Sequence, residues 1–236
     1  MKPNALVVTL PGTNRDHDVA FAFERAGAVV ERVALDVLTA NPDRLNAAQI
    51  AVFAGGFSHA DALGAGTLAG LRISTGIGDQ LRQFVASGRP MIGICNGFQM
   101  LVRAGLLPGS LTHNASGRFV CRWVTLDAPV PGRSMWTEGL HEPIECPVAH
   151  GEGRYIADAN SVAHHQAFVY AKGTNPNGSV QDTAGVVDST GLVLGMMPHP
   201  ENHVLDRQHP RFVRGEAQGL ALQLFRNGVQ HVLGRG

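Results

Sequence analysis

Met91-Ile92-Gly93-Ile94-Cys95-Asn96-Gly97-Phe98-Gln99-Met100-Leu101 is the stretch that decides the fold. Met91–Ile94 is a short, wholly apolar run that reads as a buried strand. Phe98, Leu101 and Val102 then recur at helical spacing, and Gly105 closes that helix. Between strand and helix stands Gly93-Ile94-Cys95-Asn96-Gly97, a Gly-x-nucleophile-x-Gly elbow with Cys in the nucleophile position. So tight a turn needs small residues two before and two after the nucleophile, because neighbouring backbone passes close by. The helix N-terminus behind Cys95 favours negative charge there, and the thiolate is the reactive form of a cysteine. Cys121, in mid-strand, and Cys146, before Pro147, have no elbow and read as structural.

Outward from the elbow the same alternation repeats. Ala5–Leu10 reads as a buried strand ended by Pro11-Gly12. Val19, Ala22, Phe23 and Ala26 follow at helical spacing, with Gly27 at the C-cap position. Ala28–Leu35 is a second strand and Ile50–Ala54 a third, ended by Gly55-Gly56. Ile77, Leu81, Phe84 and Val85 form a helical stripe stopped by Gly88 and Pro90. Strand–helix alternation of this kind predicts an α/β fold: an open, mostly parallel, flavodoxin-like sheet with helices on both faces. Downstream, 118–126, 144–149, 164–170, 178–187 and 192–197 read as strands, which makes the C-terminal half strand-rich. A last helix carries Ala217, Leu220, Ala221 and Leu224 and ends near Gly228. Without an internal repeat or a linker, residues 1–236 read as a single domain.

A nucleophilic cysteine needs a base. Met196-Met197-Pro198-His199-Pro200-Glu201 ends the apolar run Leu192–Met197. Pro198 cannot donate to a sheet ladder and stops the strand, and Pro200 pushes His199 toward an extended conformation. Residues two apart in extended chain point to one side, so Glu201 can orient His199 as a base for Cys95. Both pieces follow the ends of expected strands, the edge where open α/β sheets form their sites. The developing oxyanion of an acyl transfer also needs donors. Gly55-Gly56 can present a backbone N–H, and the Asn96 N–H, just after the nucleophile, is a natural second.

Composition excludes other classes. Of 236 residues, 44% are apolar and only 16% charged, unlike a disordered chain. Lys plus Arg and Asp plus Glu are 19 each, so no net positive charge points to nucleic acid as partner. Ala5–Leu10 is too short for a secretory signal or a membrane span, and no later segment is long enough. Three cysteines make no disulfide framework, so a reducing cytoplasm is expected, with no membrane association. Gly64-x-Gly66-x-x-Ala69 mimics a dinucleotide fingerprint but follows no strand directly, so no bound cofactor is expected on this chain. His141, His150, His164 and His165 lack a metal-ligand pattern and read as surface or partner-contact residues, so no metal is expected either.

Taken together, the elbow and the His-x-Glu resemble the triad-type (class I) glutamine amidotransferases. LPGTNRDHD, GGFSHAD, GICNGFQML, NASGRF, PVAHGEGRY, NPNGS and GMMPHPE extend the likeness from Leu10 to Glu201 and resemble the glutaminase subunits of phosphoribosylformylglycinamidine synthases, which serve purine biosynthesis. The resemblance implies a catalytic triad of Cys95, His199 and Glu201. It implies Gly56 and Asn96 as the oxyanion hole, and Gly55, Phe57 and Gln99 as the lining of a glutamine pocket. It also implies that ammonia passes to a large synthetase subunit, which uses ATP and Mg, and that a small third subunit assists assembly. Three places depart from the family pattern: His59-Ala60-Asp61 where Tyr-Gly-Asp is usual, Leu63-Gly64-Ala65-Gly66 where a Leu-Arg-Ala-Gly run is usual, and Asn202 where Arg is usual. The triad is untouched by these departures. The polar, Gly-rich segments around Arg118 and Arg154 are expected to face the synthetase.

Overall fold

A computed structural model describes residues 2–127, 132–217 and 219–234. The strands are β1 (Asn4–Thr9), β2 (Val29–Ala34), β3 (Ile50–Phe53), β4 (Met91–Ile94), β5 (Ser110–Thr112), β6 (Val120–Leu126), β7 (Ile144–His150), β8 (Arg154–Ile156), β9 (Gln166–Val169), β10 (Thr183–Val187) and β11 (Val193–Met196). The α-helices are α1 (Asp16–Ala26), α2 (Leu35–Ala40), α3 (Thr67–Gly76), α4 (Gly78–Ala86), α5 (Asn96–Arg103), α6 (Ala159–His165) and α7 (Leu222–Leu233). Seven strands form the main sheet in the order β2-β1-β3-β4-β11-β10-β9. Those from β2 to β11 are parallel, and β10 runs antiparallel to both of its neighbours.

The central strands β3, β4 and β11 are buried at every residue. A strand apolar on both faces needs cover on both faces, and the helices supply it. α1 and α7 pack together through Phe23 and Phe225, whose rings meet edge to face at 5.2 Å. α3 lies so close to α5 that a Cβ on Gly70 would stand 2.3 Å from that of Arg103. Two ribbons, β5–β8 and β6–β7, complete the strand-rich second half that the sequence predicts. Among the described residues, no helix is long and apolar enough to cross a membrane.

Several boundaries differ from the sequence reading. Leu35 opens α2 rather than closing β2. The segment 164–170 is divided between the end of α6, whose Asp158 cap accepts from Ser161 N–H at 2.8 Å, and β9. Only residues 183–187 of 178–187 form a strand. The last helix runs from Leu222 to Leu233, not from Ala217 to Gly228. Gly228 lies within it, where a Cβ would come 2.6 Å from the Trp136 ring, so this glycine admits a close contact instead of ending the helix. Cys146 is buried as a structural cysteine should be, whereas Cys121 is exposed.

Candidate active site

The nucleophile sits at the carboxyl end of β4, at the N-terminus of α5. The Cys95 N–H donates to Met196 O of the neighbouring β11 at 2.8 Å, and Cys95 O accepts from Gln99 N–H of the first helical turn at 3.1 Å. Cys95 itself has φ 51° and ψ −108°, a conformation that costs an L-residue energy and lifts its side chain out of the sheet. The flanking glycines are there because of contact distance. A Cβ on Gly97 would stand 1.9 Å from Phe53 O, and one on Gly93 would stand 2.6 Å from Gly97 O.

The base stands beyond the end of β11. His199 N–H donates to Pro147 O at 2.8 Å, and His203 Nδ1 meets Glu145 O at 2.6 Å, so both ends of the His199–His203 segment are fastened to β7. His199 Nδ1 and Glu201 Oε1 are 2.7 Å apart. Their pairing does not use the extended chain expected from the sequence: Pro200–Asn202 form a 3-10 turn, with Pro200 at its first position, and the turn brings Glu201 back under the imidazole. His199 is 3% exposed and Glu201 is fully buried. Burial alone would push His199 down, but Glu201 and then Cys95 act against it and hold the imidazole up at about 10. A carboxylate on Nδ1 fixes the tautomer and leaves Nε2 for the sulfur.

Gly55 and Gly56 follow β3 and meet the 12–15 loop. Phe57 N–H donates to Gly12 O at 2.9 Å and Asn14 N–H to Gly55 O at 3.3 Å, a bridge that leaves the Gly56 N–H out of the pairing. A Cβ on Gly55 would lie 2.9 Å from His199 Cε1 and 3.5 Å from Cys95 Cβ, so only glycine fits beside the triad. Asn96, as the first residue of α5, has no helical carbonyl one turn behind its N–H. Its side chain is occupied: Oδ1 accepts from Ser58 N–H at 3.0 Å and Nδ2 donates to Gln99 Oε1 at 2.9 Å. Gln99 Nε2 in turn donates to Glu152 O at 2.7 Å.

A cavity of about 190 Å³ opens beside Cys95. Phe57 and Gln99, two of the three residues read as pocket lining, border it together with Gly56, read as an oxyanion donor; Gly55, the third, is not in its wall and lies against the triad. Its other walls include Asp61, Phe119, His150 and Glu152, none of which the sequence reading placed there. His150, read as a surface or partner-contact histidine, is buried. Its Nδ1 meets Asn114 Oδ1 at 3.1 Å, and its Nε2 faces Asn177 Nδ2 at 3.5 Å. Asn114 Oδ1 also accepts from Gly153 N–H, and Asn177 Nδ2 also donates to Gly153 O, so both amide orientations are set and the imidazole carries its proton on Nδ1. Burial first, then the charge on His199, lowers His150 to about 4 and keeps it neutral. Part of HGEGRY therefore builds the cavity wall. Arg118 remains exposed, and Arg154 donates through Nε to Gly178 O at 3.1 Å. Among the described residues, no three His, Cys, Asp or Glu side chains are grouped so as to hold a metal ion.

A nucleophile on a strained elbow, a buried base paired to a carboxylate, two backbone donors and a small cavity together can attack an amide and stabilise its tetrahedral intermediate. Residues 2–232 match the CobB/CobQ-like glutamine amidotransferase domain. The chain belongs to that family. Among its amidotransferase relatives, the phosphoribosylformylglycinamidine synthase subunit PurQ of Treponema denticola is 42% identical, the alignment covering 99% of this chain and all of the relative. The PurQ subunit of Pyrococcus horikoshii is 40% identical over 95% of this chain and 96% of its own. A chain in the structure of PurLQS from Thermotoga maritima superposes with a TM-score of 0.79 at 34% identity, covering 100% of this amidotransferase and 99% of that chain.

Proposed function

We propose that this chain, as one amidotransferase domain spanning residues 1–236, is the glutaminase subunit of a phosphoribosylformylglycinamidine synthase. The observation that carries the chemistry is the pairing of His199 with Glu201 at 2.7 Å beside an elbow cysteine. Full-length relatives that bear the PurQ name support the pathway.

In this scheme the Cys95 sulfur attacks the side-chain amide carbon of glutamine. The developing oxyanion is met by the N–H groups of Gly56 and Asn96. His199 delivers its proton to the departing nitrogen, ammonia leaves, and a γ-glutamyl thioester remains on Cys95. The now neutral imidazole takes a proton from water, whose oxygen attacks the thioester. The tetrahedral intermediate collapses to glutamate, and the sulfur is restored opposite an imidazolium that Glu201 stabilises. Phe57 and Gln99 border the substrate.

Ammonia then passes to a separate synthetase subunit, where ATP and Mg are used to make formylglycinamidine ribonucleotide; this chain itself needs no cofactor or metal. A small third subunit completes the complex, in keeping with the composite name of the Thermotoga maritima assembly. Purine biosynthesis of this kind places the chain in the cytoplasm, without membrane or nucleic acid as partner. The test is ammonia release from glutamine with and without the synthetase, ATP and nucleotide substrate. Strong activation by the partner, lost in Cys95→Ala, is expected. Full activity of the isolated chain would remove the partner assignment, and no release in any mixture would remove the glutaminase.

A further inference from the structure

The Glu201 carboxylate meets His199 Nδ1 through Oε1 at 2.7 Å, while its Oε2 is buried and has no hydrogen-bond partner among the described residues. No second group therefore steers this carboxylate, and its place is set by the backbone of the turn Pro200–Asn202. The turn runs beside the edge of β7 that β6 leaves unpaired. Two bonds fasten it there. Pro147 O accepts from the His199 N–H at 2.8 Å, and Glu145 O, two residues along β7, lies 2.6 Å from His203 Nδ1. The first bond is main chain to main chain and survives any side chain; the second depends on the imidazole of His203. A carbonyl can only accept, so Nδ1 carries the proton. The acceptor is itself well anchored, because the Glu145 carboxylate meets Arg211 Nη2 at 3.1 Å and His209 Nε2 at 2.8 Å.

His203 is fully buried, its ring packed against Trp123 and His209 with centroids 5.1 Å from each. Its Nε2 is buried too and finds no partner among the described residues. Burial holds the imidazole below the usual histidine range, against the pull of the Glu145 carbonyl. Packing alone does not account for such a residue: leucine would fill similar space without stranding a nitrogen. The bond from Nδ1 is what histidine adds. We propose that His203 is a positioning residue of the glutaminase, clamping the turn that carries Glu201 against β7 and so holding the carboxylate on His199. The inference rests on the glutaminase reading and deepens it. It gives the triad a fourth supporting side chain that touches neither the substrate cavity nor the reacting atoms. The clamp acts on geometry, and a misplacement of about 1 Å at a reacting group can cost on the order of a hundredfold in rate.

Three substitutions separate the clamp from simple packing. His203→Leu keeps bulk and removes the donor. His203→Asn puts an amide N–H on Cγ, where Nδ1 stands, and His203→Gln puts it one carbon farther out. Ammonia release by the assembled complex gives kcat and KM for glutamine, nitrogen-detected NMR follows the protonation of His199, and melting curves check folding. His203→Leu and His203→Gln are expected to lose about tenfold or more in kcat with KM within about twofold of wild type, while His203→Asn stays within about threefold in kcat. In the two weak variants His199 should give up its proton at a lower pH than in wild type, because Glu201 no longer holds it; in His203→Asn it should not. If His203→Leu does not fold, the comparison of Asn with Gln decides. Wild-type kcat in His203→Leu, equal kcat in His203→Asn and His203→Gln, or a loss of kcat with the titration of His199 unmoved each overturns the proposal and leaves the glutaminase standing. If the wild-type complex releases no ammonia from glutamine, the glutaminase reading itself has failed, and this proposal fails with it.

Discussion

Replacing Glu201 by Gln tests the site at its most buried point. The carboxylate is fully buried and its partner His199 is 3% exposed, so water cannot take over the lost charge. Glutamine has nearly the same shape and can still accept the Nδ1–H through its amide oxygen, so the 2.7 Å contact can survive while the ion pair does not. Removing one member of a buried pair costs about 3–5 kcal/mol, and at about 1.36 kcal/mol per factor of ten that is roughly 10²–10⁴ in kcat if the whole penalty falls on the imidazolium-bearing states. The pH dependence has a definite sign. His199 is raised from 6.5 to about 10, so the stability it adds is fully present below pH 6.5 and drains away as pH rises through about 10. The melting-temperature advantage of wild type over Glu201→Gln should therefore shrink steadily between pH 7 and 10. Ammonia release by the assembled complex gives kcat, and nitrogen-detected NMR of the imidazole gives the protonation of His199 directly. A variant with kcat within tenfold of wild type and His199 still protonated at pH 8 would falsify the role given to Glu201.

Cys95 sits at φ 51° and ψ −108°, where a Cβ is strained and glycine is not. Cys95→Gly and Cys95→Ala should both abolish ammonia release. The glycine variant should be the more stable by about 1 kcal/mol, seen as roughly 2–4 °C in Tm; equal melting temperatures would mean that the elbow stores no strain. His150 has the opposite sign from His199: with its folded value lowered from 6.5 to about 4, the stability it adds is present above pH 6.5 and lost as pH falls toward 4. Denaturant midpoints across that range should fall less steeply in His150→Gln than in wild type, and parallel curves would contradict the neutral, doubly engaged imidazole. Arg118 is exposed on the segment next to the cavity, so Arg118→Glu should weaken capture of the synthetase in a pull-down while leaving Tm within about 1 °C, since isolated surface changes cost little. Undiminished capture would move the interface elsewhere.

The parallel core was legible because its strands are apolar without interruption. A run such as Met91–Ile94 has no polar face to leave in water, and burial on both sides follows. The candidate triad was legible from the residues around it: Gly93 and Gly97 stand two residues either side of Cys95, His199 lies between prolines, and Glu201 follows Pro200. α3 was not, because Gly66, Gly70 and Gly76 replace the usual apolar stripe where the helix approaches α5 and the 35–40 segment closely. β6 and β7 were read as 118–126 and 144–149, but β5 and β8, three residues each, were not, and nothing local says that these strands pair as ribbons outside the main sheet. His150, Asn114 and Asn177 were missed for a related reason. A buried polar network is built from residues that elsewhere mark loops, and nothing in their local spacing says that they face each other. Asp61 and Glu152 stood within GGFSHAD and PVAHGEGRY, but only the folded chain places both in one cavity.

Cys95 and His199 belong to the ends of neighbouring strands, and the bond from Cys95 N–H to Met196 O ties the one strand end to the other. Slippage between those strands would flip side chains to the opposite face, so the separation of thiol and imidazole cannot be adjusted by degrees. The segments that border the cavity, the left-handed run at His59–Asp61 and the Gly151–Gly153 turn that carries Glu152, lie outside that strand pairing. The reactive pair is therefore set by the sheet itself, while the walls of the cavity are set by the loops around it.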